Sequence, residues 1–208
     1  MSQLVVFVQG IVLYLLVYSA SITWRRRSTR RIVAGLRPRH AGIALASLIG
    51  TVVILLALES LGGPLKVGWW SLMGGKGSAL SGGASASVRH PLAAPLMAVI
   101  PFALLANIPA FALREEIWFR RGSERRSVMA NAQVAMVFGL AHMVAGVPLS
   151  AALAIAAFGG LLSWRYVQMA RGSGPLSALH ETARIHTIYN TTIVFLLGAA
   201  ILLRLVAR

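Results

Sequence analysis

The sequence predicts an all-α protein, a polytopic transmembrane bundle of about six spans folded as a single domain over residues 1–208. Three observations lead there. Hydrophobic residues make up 57% of the chain and the mean hydropathy is +0.75, more apolar than a soluble domain. Apolar stretches near the roughly 20 residues that cross a bilayer recur along the whole sequence. The basic residues gather between those stretches rather than within them.

Hydropathy places the spans at 4–23, 41–61, 92–113 or beyond, 128–147, 148–164 and 186–206. The first has no basic residue ahead of it and Arg25–Arg27 behind it, the reverse of a cleaved signal peptide, and is read as a retained span. Pro101 and Pro109 should bend the third span, which neighbouring helices tolerate by satisfying the freed carbonyls. Pro148 marks a tight connection between the fourth and fifth. The loop 62–90 is rich in Gly and Ser and reads as an outer loop with interfacial Trp69 and Trp70. No internal repeat is visible, which withholds support from a transporter of duplicated halves.

The formal charge of +15 reflects twenty basic residues against five glutamates. Fifteen of the twenty fall in the first, third and fifth connections and five on the other side, so the odd connections are expected in the cytoplasm and both termini outside. That placement makes the arginines topological, with the lipid bilayer as partner and no nucleic acid, since no aromatic-basic module accompanies them. The expected location is the cell (inner) membrane of a bacterium or archaeon. Cysteine is absent, so disulfides and thiolate chemistry are ruled out.

Ionisable residues at membrane depth are costly and mark functional sites by default. Three groupings qualify. In "REEIWFRRG" (114–122), Glu116 and Arg120 are one helical turn apart and can pair. Glu115 lies about 100° round the helix from Glu116, so one carboxylate can be structural while the other does chemistry. In "FGLAHM", Phe138 and His142 share a face, either as packing partners or as part of a site. In "RIHTIYN", His186 and Asn190 share a face and can donate to a developing oxyanion or serve as interhelical hydrogen-bond glue.

Taken together, E-E-x-x-x-R, F-x-x-x-H and H-x-x-x-N on successive helices resemble the family of CAAX prenyl proteases and bacteriocin-processing enzymes, the glutamate-type intramembrane proteases. The resemblance covers about 91–206, and departs from the family only at "FRRG", where Arg121 separates the arginine from the glycine. It implies an intramembrane endopeptidase acting on a membrane-associated or lipid-anchored protein or peptide. By the same resemblance Glu115 is the general base, and His142 shares the water it activates. His186 and Asn190 form the oxyanion hole, and Glu116, Arg120 and Phe138 support the site. The family is regarded as metal-independent, so no cofactor is expected.

Other readings stay open. "HETARIH" (180–186) has Arg184 where a zinc protease needs its second histidine, but Glu115, His142 and His186 on three helices can still form a zinc site. A non-catalytic immunity or scaffold protein would keep the polar core for packing. A small proton-coupled transporter would use the same residues as a relay. For Glu115 and His142 to share a water, the third helix is expected to continue through "EEIWFRRGSERR" to about Arg126, against a cost of about 1 kcal/mol for Gly122.

Overall fold

In the computed structural model, which describes residues 2–68 and 93–206, every regular element among those residues is helical. The helices are α1 (Ser2–Thr23), α2 (Arg27–Ala34), α3 (Pro38–Ser60), α4 (Ala93–Leu105), α5 (Ile108–Phe119), α6 (Val128–Ala141), α7 (Leu149–Ser173) and α8 (Pro175–Val206). Four stretches are long and apolar enough to cross a membrane: α3, α6 with the turn after it (to Ala145), α7, and α8 as far as Leu203. Helix is the form such sequences must take in lipid, because it satisfies every backbone N–H and C=O within the segment. The loop reading of Trp69 and Trp70 lies outside the described residues.

The third apolar stretch is a broken helix, where a single bent one was expected. Pro109 has no N–H for the carbonyl of Leu105, and its ring would collide with that carbonyl in a continuous helix. The chain therefore turns at Ala106–Asn107 and restarts with Pro109 in the first turn of α5. The freed groups find partners. Asn107 Nδ2 donates to Leu16 O (2.9 Å) and Ala103 O (3.0 Å), and Trp24 Nε1 donates to Ala106 O at 2.7 Å. These bonds fasten α1 to the break.

The expected continuation to Arg126 does not occur. α5 runs past Leu113 but ends at Phe119, Gly122 takes a left-handed conformation (φ 85°), and Ser123–Arg125 form a single 3-10 turn. Arg126 closes the end by donating to Phe119 O (3.0 Å) and Arg121 O (3.1 Å), carbonyls a longer helix would have paired. Ser127 then caps α6 through the Ala130 N–H at 3.1 Å. The fourth stretch ends as helix at Ala141, and Gly146 (φ 82°) and Pro148 make the tight connection to α7. α7 and α8 both outrun their hydropathic cores, and α2 was not anticipated. α2 is amphipathic: Thr29 and Ile32 are buried while Arg27, Arg30 and Arg31 are exposed.

Ala44 of α3, Phe138 of α6, Phe158 and Leu162 of α7, and Ile185 and Tyr189 of α8 form the main core. Small residues let the helices approach. A Cβ on Gly139 would collide with the Ala152 carbonyl of α7 and lie 2.6 Å from the Ala156 Cβ. Close backbone contact of this kind is how membrane helices gain packing energy when lipid is as apolar as their side chains. Gly139→Ala is accordingly expected to lower stability by about 1–3 kcal/mol, as overpacking does. An unfolding midpoint in SDS equal to that of the unaltered protein would show that α6 and α7 separate without cost.

Candidate functional site

Glu115 and Glu116 project from the last turns of α5, Phe138 from the end of α6, His142 from the turn that follows, and His186 from α8. His186 is the meeting point. Its Nδ1 lies 2.9 Å from Glu116 Oε1, and its Nε2 lies 3.3 Å from Glu115 Oε2. The helical separation of the two glutamates is thus bridged from above by one imidazole.

This geometry sets a proton count. A neutral imidazole carries one N–H, so it donates to one carboxylate only. Donation to both needs the imidazolium, and otherwise one carboxyl holds the proton. Only the Nδ1–Glu116 contact has hydrogen-bond geometry; Glu115 Oε2 lies 3.3 Å from Nε2 with no hydrogen-bond partner among the described residues. The ring is 1% exposed and Glu116 is fully buried, whereas the Glu115 side chain is 27% exposed and can meet water. Nδ1 is thus committed to Glu116, while Nε2 lies beside Glu115 Oε2 without a hydrogen bond to it.

Aromatic rings wall the imidazole. Phe138 and Phe158 meet it edge-on, with centroids 5.7 and 5.5 Å away, and Phe158 stacks on Tyr189 at 3.7 Å. Phe138 also meets the His142 ring at 4.9 Å. His142 Nδ1 lies 2.9 Å from the Phe138 carbonyl, which can only accept, so Nδ1 carries the hydrogen. In the neutral ring Nε2 is then the basic nitrogen.

Arg120, the residue that ends α5, is buried beneath this layer. Its guanidinium lies 4.0 Å from Glu116 Oε2 and sits over the Phe138 ring, 4.5 Å from the centroid. It makes no hydrogen bond to another group among the described residues, so the carboxylate and the aromatic face balance its charge. The expected Glu116–Arg120 pair is therefore present at its outer limit, with His186 as the closer partner of Glu116. Asn190, one turn along α8 from His186, is half-buried, and its amide has no partner among the described residues.

Two contributors were missed in the sequence. A Cβ on Gly159 would lie 2.7 Å from Phe138 Cδ1 and 3.1 Å from Arg120 Nη2, so only glycine admits both side chains. Glu181, set aside as part of a failed zinc pattern, is a buried hub. It takes bonds from Arg39 Nη2 (3.0 Å), His40 Nε2 (3.0 Å) and Arg165 Nη2 (3.3 Å), while His40 Nδ1 accepts the Arg37 N–H at 2.9 Å. The hub ties α3 and α7 to α8 five residues before His186, which fixes the rotation of α8 and aims the imidazole. Its signal was scarcity: with five glutamates among twenty basic residues, a carboxylate is a site to which cations can be drawn.

Comparison with protein-family models, with curated proteins and with solved structures returns no match for this chain.

Proposed function

We propose that this chain is an intramembrane endopeptidase of the glutamate type, similar to the CAAX protease and bacteriocin-processing family. It would hydrolyse a peptide bond in a membrane-associated or lipid-anchored protein or peptide. One observation carries the reading: residues of the three sequence groupings adjoin, with Glu115, Glu116 and Phe138 against the His186 imidazole and His142 packed on Phe138. Packing alone does not call for a part-exposed second carboxylate on that ring. In the same reading α1 and the broken pair α4–α5 join the four long apolar helices to give six crossings, with the arginine-rich connections in the cytoplasm.

In the reaction Glu115 takes a proton from water as the oxygen attacks the scissile carbonyl. The charge that develops on the carbonyl oxygen is met by the Asn190 amide, the free donor on α8. The C–N bond then breaks and Glu115 returns its proton to the leaving amine. His186 takes a different role from the one the resemblance implies: held between two carboxylates, it orients Glu115.

Purified protein in detergent, incubated with candidate membrane peptides and read by mass spectrometry, tests the proposal. Cleavage should survive chelators. Asn190→Ala should lower kcat by about 10²–10³ with KM little changed, as for a lost oxyanion donor. A change in KM alone would make Asn190 a substrate-binding residue, and no cleavage of any peptide would favour the second reading. That reading is a proton-coupled transporter, for which an imidazole between two carboxylates is a ready relay. Proton flux in liposomes without proteolysis would establish it.

A further inference from the structure

A cavity of about 120 Å³ opens where the end of α1, the start of α2 and one face of α5 meet. It is well above the roughly 10–15 Å³ that one water needs. Its lining mixes two chemistries: Thr23, Arg26, Ser28, Thr29 and Arg114 are polar, and Ala110, Leu113 and Ile117 of α5 are apolar.

The polar side consists of donors in want of an acceptor. α2 begins here with no side-chain cap, so the N–H groups of its first turn point outward at the positive end of the helix dipole. The Arg26 and Arg114 side chains make no ion pair or hydrogen bond among the described residues. Thr29 supplies an independent sign of a ligand: it is 1% exposed, lies on the cavity wall, and its hydroxyl has no partner among the described residues. No carboxylate lines the cavity. Two guanidinium groups, a helix start and a hydroxyl together make an oxyanion site of the kind phosphates occupy.

The apolar side selects among phosphates. Inorganic phosphate gains nothing from Leu113 or from Ile117, which is 39% exposed, whereas a lipid can lay its chains along both. α2 also has the form of an interfacial helix, with Arg27, Arg30 and Arg31 exposed and Ile32 buried, and such basic segments are drawn to anionic leaflets.

We infer that this cavity binds the headgroup phosphate of an anionic phospholipid, with the acyl chains against α5. The inference stands independently of the proteolytic reading. The test uses full-length protein in neutral detergent, offered short-chain phosphatidylglycerol, phosphatidylcholine or inorganic phosphate, with retention read by native mass spectrometry. One phosphatidylglycerol should be held per chain at concentrations where phosphatidylcholine is not. Thr29→Val combined with Arg114→Gln should weaken that binding about tenfold or more, about 1.4 kcal/mol per decade. Thr29→Ser should leave it unchanged, and Arg27→Gln with Arg30→Gln, outside the cavity, should weaken it less than the cavity variant does. If the double variant does not fold, Thr29→Val alone, which keeps the volume, should still show weaker retention. Unaltered retention in the variants would overturn the site in favour of diffuse charge. Retention of phosphatidylcholine equal to that of phosphatidylglycerol, or displacement of the lipid by inorganic phosphate at equal concentration, would overturn the anionic-lipid assignment.

Discussion

Glu115→Gln is expected to lower peptide cleavage by about 10²–10⁴, the usual contribution of a positioned general base, while leaving the unfolding midpoint nearly unchanged. The change keeps the side chain's shape and removes only its ability to take a proton. Glu115 is 27% exposed and its contact with His186 is the longer of the two at 3.3 Å, so the fold depends on it little. Rate and stability are measured on the same preparation. Activity equal to that of the unaltered protein would remove Glu115 from the chemistry and return both carboxylates to a structural role.

Glu116→Gln should do the reverse and cost about 3–5 kcal/mol of stability, the range for breaking one side of a buried ion pair. Glu116 and Arg120 are both fully buried, and the 2.9 Å contact to His186 Nδ1 is the shorter of that ring's two carboxylate contacts. A neutral amide leaves the Arg120 guanidinium with only the Phe138 ring beside it. Arg120→Met should be damaging for the complementary reason, since Glu116 then keeps its charge without its cation. The double variant should lose less than the two single losses added together, because the uncompensated charge is gone from both sides. Strict additivity in SDS unfolding would show that the 4.0 Å separation carries no coupling and that Glu116 is held by His186 alone.

What the sequence determined by itself follows from quantities that add along the chain. Hydropathy summed over a window requires membrane-scale helices, and α3 appears within three residues of its expected start, at Pro38. Residue type at helical spacing marked Glu115, Glu116, Arg120, Phe138, His142 and His186, and the structure brings these together. Backbone chemistry at single positions was readable in part: a bend was expected at Pro109, where the chain instead breaks and restarts.

Tertiary structure decided what depends on which way a side chain faces. α8 begins at Pro175, eleven residues before its hydropathic core, because residues such as Glu181 and Thr182 lower the hydropathy of that segment while lying inside the bundle. A windowed sum cannot tell a buried polar residue from a solvated one. α5 stops at Phe119, where Gly122 turns left-handed and Arg126 folds back onto the last carbonyls; the glycine was legible in the sequence and the arginine contact was not. The two glutamates were read as facing different surroundings; the structure buries Glu116 and leaves Glu115 27% exposed, yet sets both beside one imidazole. The 100° between them on α5 points them to different places only on a bare helix. An imidazole has acceptor or donor sites on two edges, and α8, rotated into place by the Glu181 hub, presents His186 so that each edge takes one carboxylate.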